Sequence, residues 1–296
     1  MVEDRAPGWQ RLLGALFPHT GRARILGLTG APGAGKSTLV DQLARVYRAQ
    51  GKTLGVIAVD PTSPFSGGAI LGDRIRMQSH HADAGVYVRS MATRGSLGGL
   101  ASATADVASV LDAAGRDPVL IETVGVGQDE VDIVRLADVT VVILVPGMGD
   151  DVQTIKAGIM EIADVFVINK SDREGAERVE REIRAMQALA PRADQWTPPV
   201  VKTVATEAKG IPELAAAIAK YEDFLKRSGQ AAAKKQQNWR GRLVEMLREA
   251  LVERVRREVG DEQLARYAAE VAEHRRDPYA LVEELAGEMK RERVRR

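Results

Sequence analysis

Residues 30–38 read GAPGAGKST, which fits the G-x-x-x-x-G-K-[ST] pattern of phosphate-binding loops. An apolar strand, Ile25–Leu28, precedes this loop, and Leu39–Tyr47, with helical apolar spacing, follows it. Backbone N–H groups of such a loop and of the next helix bind phosphate oxygens. We therefore predict a nucleotide site formed by Gly33, Ala34, Gly35, Lys36, Ser37 and Thr38.

The same pattern assigns chemistry to individual side chains. Lys36 would reach the β- and γ-phosphates, and the Ser37 hydroxyl would bind Mg²⁺. Glu122 ends the apolar strand 119–121. It supplies the acid that such a metal site needs beside the Ser37 hydroxyl, and it would bind Mg²⁺ directly or through water. Gly125 would offer its backbone N–H to the γ-phosphate, which makes the loop after it a switch.

Two further acids fall where loops should cover the phosphates. Asp60 ends the strand 54–59, and acids at the ends of parallel strands lie at the ligand edge of the sheet. Asp73 follows a glycine-rich stretch, 66–69. For Asp73 two roles stay open, a metal ligand or the N-cap of a helix over 74–79.

The choice of base is predicted from residues 169–172, NKSD, after the strand 165–168. The carboxylate of Asp172 can accept both the N1–H and the 2-amino protons of guanine, and adenine has neither donor. The Lys170 stem would cover the base and Asn169 would brace the loop. Together with Glu122, this motif favours GTP and GDP over adenine nucleotides.

Composition excludes several other classes. The 296 residues carry 42 Lys and Arg against 41 Asp and Glu, so the net charge is only +1 and does not draw the chain to nucleic acid or to an anionic membrane. Zero cysteines exclude disulfides and fit a cytoplasmic protein. The longest apolar runs are far shorter than the roughly 20 residues of a membrane span, and the first residues do not resemble a secretory signal.

Alternating strands and helices predict an α/β fold, a P-loop NTPase with a doubly wound, mostly parallel sheet. We expect an N-terminal helical extension over 1–22, a nucleotide-binding domain over 23–226 and a C-terminal helical arm over 227–296. The arm begins with a polar bridge and carries apolar residues every fourth position, which a second chain or the first domain must cover. The predicted strands are Ile25–Leu28, Leu54–Val59, Gly85–Arg89, Val119–Ile121, Val139–Val145, Val165–Ile168 and Val200–Val204.

Five motifs together resemble the MeaB/ArgK family, the G-protein chaperones of adenosylcobalamin-dependent acyl-CoA mutases to which the methylmalonic aciduria type A protein is related. These motifs are GAPGAGKST, VDPTSP at 59–64, GDRIRM at 72–77, IETVGVGQ at 121–128 and NKSD. The resemblance covers residues 25–225, and the helical tail fits the family's dimerisation arm. It implies a homodimer that gates cobalamin delivery to a mutase and protects the mutase, with an adenosyltransferase as a further partner.

The resemblance also assigns residues. Ser37, Asp60, Asp73 and Glu122 would form the Mg²⁺ environment, and Lys156, in a loop after the strand 139–145, would contact the nucleotide site when a partner docks. Lys156 could equally be an exposed helix lysine.

Val126 stands where many GTPases carry a water-orienting glutamine, which predicts slow unassisted hydrolysis; the later Gln128 cannot simply take that role. Two alternatives stay open, a kinase of a transport system and a nickel-insertion GTPase. The second is disfavoured by the lack of Cys and of a ligand-like His cluster.

Overall fold

A computed structural model describes residues 1–60, 80, 82–92, 99–123, 136–147, 161–189 and 192–292 of the chain. Seven strands and eight α-helices lie within these ranges. In chain order they are α1 (Trp9–Leu16), β1 (Ile25–Gly30), α2 (Lys36–Ala49), β2 (Leu54–Asp60), β3 (Val86–Ala92), α3 (Gly99–Ala113), β4 (Val119–Glu122), β5 (Val139–Leu144), β6 (Val165–Asn169), α4 (Ala176–Leu189), β7 (Val200–Thr203), α5 (Ile211–Arg227), α6 (Gln230–Val259), α7 (Asp261–Ala272) and α8 (Pro278–Glu292).

The strands form one parallel sheet in the order β3-β2-β4-β1-β5-β6-β7. This confirms the predicted doubly wound α/β fold. The central strand, β1, separates two halves that grow in opposite directions, and ligands bind at the carboxyl edge of such a switch point. β1, β2, β4 and β6 end at this edge with Gly30, Asp60, Glu122 and Asn169.

The core explains why most strands are continuous apolar runs. Helices α2 and α5 pack on one face of the sheet, in a cluster that includes Val141 and Ile143 of β5. The opposite face carries α3 in one cluster and α4 in another, and the intervening Val142 belongs to the α4 cluster. Successive side chains of a strand point to opposite faces, so burial on both faces requires an apolar residue at nearly every position.

The N-terminal lead-in packs on the sheet domain. Helix α1 contacts α3, and the α3 carboxylate of Asp112 accepts the N–H groups of Arg22 at 3.2 Å and Ala23 at 2.8 Å. These bonds hold the chain just before β1, and therefore fix where β1 enters the sheet.

The chain divides into two compact units, Met1–Gly241 and Arg242–Arg296. The first unit continues beyond residue 226, where we predicted its end, because the start of α6 packs on the sheet domain. There the Lys234 Nζ lies 2.8 Å from Asp164 Oδ2 and 3.0 Å from the Tyr221 hydroxyl.

In the second unit, α7 begins at Asp261 and α8 at Pro278. The Asp277 carboxylate caps α8 by accepting the N–H groups of Tyr279 at 3.2 Å and Ala280 at 3.1 Å.

Candidate nucleotide-binding site

The loop between β1 and α2 has the shape of a phosphate cradle, and glycine makes that shape possible. Gly30 has φ 147°, and a Cβ there would lie 2.2 Å from the main-chain oxygen of Ile143. Gly35 has φ 86°, and its Cβ would lie 2.5 Å from Asn169 Nδ2. Both positions need a backbone that L side chains rarely adopt, and neither has room for one. Helix α2 begins directly after Gly35, so its N-terminus points at the loop.

Lys36 lies inside this loop. Its Nζ donates to the main-chain oxygens of Gly30 at 2.8 Å and Ala31 at 3.0 Å, and only 6% of the residue is exposed. The ammonium group is thus held across the loop by carbonyl groups, which are weaker partners than phosphate oxygens.

Ser37 and Glu122, the two residues predicted to form the metal side of the site, are in contact. The Ser37 hydroxyl donates to Glu122 Oε1 at 2.6 Å, and both residues are buried. The two side chains meet because β4 pairs with β1, with Glu122 in register with Leu28. A hydroxyl and a carboxylate oxygen are the ligand types that Mg²⁺ takes beside nucleotide phosphates. The donor set therefore fits the predicted ion.

Asn169 connects the base-side loop to the phosphate loop. Its Nδ2 donates to the main-chain oxygen of Ala34 at 2.8 Å. Its Oδ1 accepts the Thr203 hydroxyl and the Ala205 N–H, each at 3.1 Å. The side chain is 2% exposed, so every one of these bonds is made away from water. Asn169 therefore holds its own loop, the phosphate loop and the segment at the end of β7 together.

Lys170 and Asp172 occupy the solvent side of the same loop. Lys170 has φ 54°, a conformation uncommon outside glycine, and its Nζ donates to the main-chain oxygen of Gly33 at 2.8 Å. Asp172 is exposed. The Glu207 carboxylate raises the pKa of Lys209 through a hydrogen bond, and Asp172 adds a weaker electrostatic contribution. Asp172 is thus within electrostatic reach of the segment after β7.

The sequence did not single out Thr203 and Ala205, which the structure brings into this site. Thr203 ends β7, beside β6, and its main-chain oxygen accepts the Ser171 N–H at 3.1 Å. Their signal was positional, since a polar stretch directly after the strand next to an NKxD strand must lie at the same edge. The residue types alone do not indicate that Thr203 and Ala205 belong to this site.

Two buried threonines lie where β1 and β4 end. The Thr123 hydroxyl donates to the Thr29 hydroxyl at 3.1 Å, and the Thr123 N–H donates to the main-chain oxygen of Leu28 at 3.1 Å. Thr29 directly precedes Gly30, and Thr123 directly follows Glu122. The pair therefore joins the phosphate loop to the strand that carries the metal-side acid.

Several predicted site residues fall outside the described part of the chain. Asp73, Gly125, Gln128 and Lys156 lie there, and of Asp60 the structure describes the main chain, at the end of β2. Their roles remain predictions.

The family model described as "Methylmalonyl Co-A mutase-associated GTPase MeaB" matches residues 1–260. A protein of Pyrococcus abyssi is 48% identical over 294 residues, which cover 98% of this chain and 90% of that protein. The "GTPase ArgK" of Escherichia coli is 38% identical over 263 residues, covering 86% of this chain and 78% of its own. The mouse "Methylmalonic aciduria type A homolog, mitochondrial" is 40% identical over 215 residues, covering 71% of this chain and 52% of its own.

Among solved structures, one described as "Crystal structure of LAO/AO transport system kinase" superposes with a TM-score of 0.69 at 29% identity. The match covers 98% of this chain and 90% of that one. Among the residues that the structure describes, none of the helices combines the length and the apolar character that crossing a membrane requires.

Proposed function

Because this chain belongs to the MeaB family of methylmalonyl-CoA mutase-associated GTPases, we propose that it binds GTP and hydrolyses it to GDP and phosphate. The proposal rests on two hydrogen bonds that lie at one edge of the sheet. Ser37 Oγ lies 2.6 Å from Glu122 Oε1, and Asn169 Nδ2 lies 2.8 Å from the main-chain oxygen of Ala34. One phosphate loop is thus in contact with a metal-side acid and with a base-side loop.

In this proposal Asp172 selects guanine. Its exposed carboxylate accepts the N1–H and 2-amino protons of the base, and adenine offers neither. The Lys170 stem, already extended toward Gly33, covers one face of the base. A site built to accept these protons rejects a base that lacks them, because its acceptor would lose water without gaining a partner.

Ser37 and Glu122 would hold Mg²⁺, with Asp60 and Asp73 completing the acidic environment. When bound, Mg²⁺ neutralises charge on the β- and γ-phosphates. Lys36 exchanges its carbonyl partners for phosphate oxygens, and the Gly125 N–H donates to the γ-phosphate. These groups position the nucleotide and stabilise charge that develops on the phosphoryl oxygens.

We further propose that the chain is a cytoplasmic metallochaperone that gates adenosylcobalamin delivery to an adenosylcobalamin-dependent acyl-CoA mutase and protects that mutase. The description of the matching family names methylmalonyl-CoA mutase, and the mouse relative carries the name of methylmalonic aciduria type A. Hydrolysis would be slow alone and would rise when the mutase brings Lys156 to the nucleotide. An adenosyltransferase is the second proposed partner.

A homodimer formed through the C-terminal arm is part of the same proposal. Helix α6 exposes a row of apolar side chains, with 52% of Leu243, 61% of Leu247 and 49% of Leu251 accessible. Val244, Met246 and Val252 widen this row. A contiguous apolar strip of this kind is typical of an interaction surface, and a second copy presents the same strip.

Phosphate release by the full chain, with GTP or ATP and with or without methylmalonyl-CoA mutase, tests the proposal. We expect slow release from GTP, none above background from ATP, and a rise on adding the mutase. Lys156→Ala should reduce that rise, whereas Lys226→Ala, at an exposed lysine of α5, should leave it unchanged. Transfer of the γ-phosphate to a protein instead of to water would favour the alternative of a transport-system kinase, the activity for which the similar solved structure is named.

A further inference from the structure

Helix α2, which begins with Lys36 and Ser37, holds the chain before β3 at two places. His80 contacts Asp41, and Asp83 contacts Arg48, two turns further along the same helix. The two contacts therefore fasten one short stretch of chain along the helix that follows the phosphate loop.

The contact with Asp41 is buried and specific. His80 Nε2 lies 3.1 Å from Asp41 Oδ1 and 3.4 Å from the Asp41 main-chain oxygen. Because a carboxylate or carbonyl oxygen only accepts, Nε2 carries the proton of this bond. Arg45 Nε donates to the other carboxylate oxygen at 3.0 Å. With His80 6% and Asp41 7% exposed, the loss of either partner would leave a buried polar group poorly satisfied.

The contact with Asp83 differs in its surroundings. Arg48 donates from Nε at 2.6 Å and from Nη2 at 2.9 Å, and the side chains are 28% and 32% exposed. The Asp83 carboxylate also accepts the Gly85 N–H at 2.8 Å. This pair lies at the end of α2 remote from the phosphate loop, so it tethers the same stretch of chain without neighbouring the nucleotide.

Asp41 lies one helical turn after Ser37, so the two residues are neighbours on one face of α2. Ser37 in turn contacts Glu122 on the metal side of the site. We propose that His80 is a positioning residue for Mg²⁺-bound nucleotide. It acts through Asp41, whose carboxylate it contacts at 3.1 Å one helical turn after Ser37, and so positions the Ser37 side chain. The inference rests on the proposed nucleotide function and adds to it a residue that touches neither nucleotide nor metal.

The test uses the full chain loaded with GDP and measures Mg²⁺ binding by calorimetry, GDP affinity in EDTA and the thermal midpoint. His80→Ala should raise the Mg²⁺ dissociation constant about tenfold, the lower end of what partners of metal ligands contribute. GDP affinity in EDTA should stay within about twofold, because His80 does not contact the phosphate loop. His80→Gln, which keeps an N–H donor, should restore most of the Mg²⁺ affinity.

Asp83→Asn is the matched control, because it alters the other tether on the same stretch, and it should leave Mg²⁺ binding unchanged. His80→Leu, which keeps the volume, replaces His80→Ala if the smaller residue destabilises the fold. Unchanged Mg²⁺ affinity in both His80→Ala and His80→Leu, or an equal loss of GDP affinity with and without Mg²⁺, would overturn the inference. A wild type that binds no GDP would overturn the proposed function and this inference together, whereas a variant that behaves like a GDP-binding wild type overturns the inference alone.

Discussion

The side-chain amide of Asn169 donates to the main-chain oxygen of Ala34 at 2.8 Å and thereby fastens the base-side loop to the phosphate loop. Asn169 ends β6, whereas Ala34 lies in the loop that follows β1, and these two strands are separated in the sheet by β5. The two halves of the nucleotide site are therefore held in one geometry by a buried side chain.

Replacing Asn169 with alanine should weaken both nucleotide binding and the fold. The change removes three buried hydrogen bonds, to Ala34, Thr203 and Ala205, each contributing about 1 kcal/mol. We expect a loss of about 2–4 kcal/mol in the free energy of unfolding. GDP affinity should fall at least about tenfold as the loops separate. Urea unfolding and calorimetry measure the two effects.

Thr203→Val is the graded control for that experiment, since it removes one of the three bonds and retains the shape of the side chain. Its effect on stability should be about a third of the effect of Asn169→Ala. Equal effects of the two variants would contradict the view that Asn169 joins three segments.

The Thr123–Thr29 contact predicts that Thr123→Val lowers the free energy of unfolding by about 1 kcal/mol, since the isosteric change leaves the Thr29 hydroxyl without its donor. Thr140→Val is the matched control. Thr140 is buried in β5 of the same sheet, and its hydroxyl has no hydrogen-bond partner among the described residues. Thr140→Val should therefore be neutral or stabilising. Chemical unfolding measures the free energy of unfolding of both variants. A larger loss of stability in Thr140→Val than in Thr123→Val would refute a stabilising Thr123–Thr29 hydrogen bond.

The contact between Lys234 and Asp164 predicts where the chain can be truncated without losing stability. Its Nζ neutralises the carboxylate of Asp164, which is buried and also contacts Arg192. A chain of residues 1–241 should fold, whereas residues 1–229 should be less stable by about 2–4 kcal/mol because Asp164 loses a buried partner. In the full chain Lys234→Ala should reproduce most of this loss, and Lys235→Ala, at an exposed neighbour, should not. Equal stability of the two truncated chains would contradict the prediction.

Asp138 and Asp117 should give stability profiles of opposite slope against pH. Burial raises the pKa of Asp138 above 3.8, even though the Ile25 N–H donates to its carboxylate. The native state therefore holds this proton longer than the unfolded state, and its contribution is complete below pH 3.8 and is lost as pH rises through the native pKa. Asp138→Asn should thus gain stability relative to the wild type as pH increases above 3.8.

For Asp117 the dependence of stability on pH has the opposite sign. Burial alone would raise its pKa, but hydrogen bonds from the side chain and main chain of Arg24 outweigh burial and lower the pKa below 3.8. Its contribution is present above pH 3.8 and is lost as pH falls through the native pKa. Asp117→Asn should therefore show its largest deficit near neutral pH. Parallel pH profiles for the two variants, from urea unfolding at each pH, would disprove the assignment.

The sequence predicted the strands and the phosphate loop well because parallel strands buried on both faces must be apolar throughout. β3 was predicted to end at Arg89, whereas it continues to Ala92. The ladder with β2, in which Asp60 pairs with Ala92, outweighs the polarity of Arg89 and Ser90. Ladder partners are not visible in local hydropathy.

Residues whose roles depend on contacts between distant segments were not predictable. Lys234 stands in a polar, low-complexity stretch that read as a bridge, and only the folded chain brings it to Asp164. Ala205 offers a backbone N–H, which leaves no trace in residue type. The closeness of Ser37 and Glu122 was predictable because each residue belongs to a motif with fixed geometry, and their role as Mg²⁺ ligands stays a prediction.

Calorimetry of GDP, ADP and xanthosine diphosphate on the wild type and on Asp172→Asn tests whether this chain is a guanine-nucleotide protein that selects its base through Asp172. We expect the wild type to bind GDP and to discriminate against ADP by at least about 100-fold, since a site built for hydrogen bonds rejects a base without the donors. Asp172→Asn should lose GDP affinity and gain affinity for xanthosine diphosphate, because an amide can donate to the second carbonyl of xanthine. Equal affinity of the wild type for GDP and ADP, or an Asp172→Asn variant with unchanged base preference, would show that Asp172 does not select guanine.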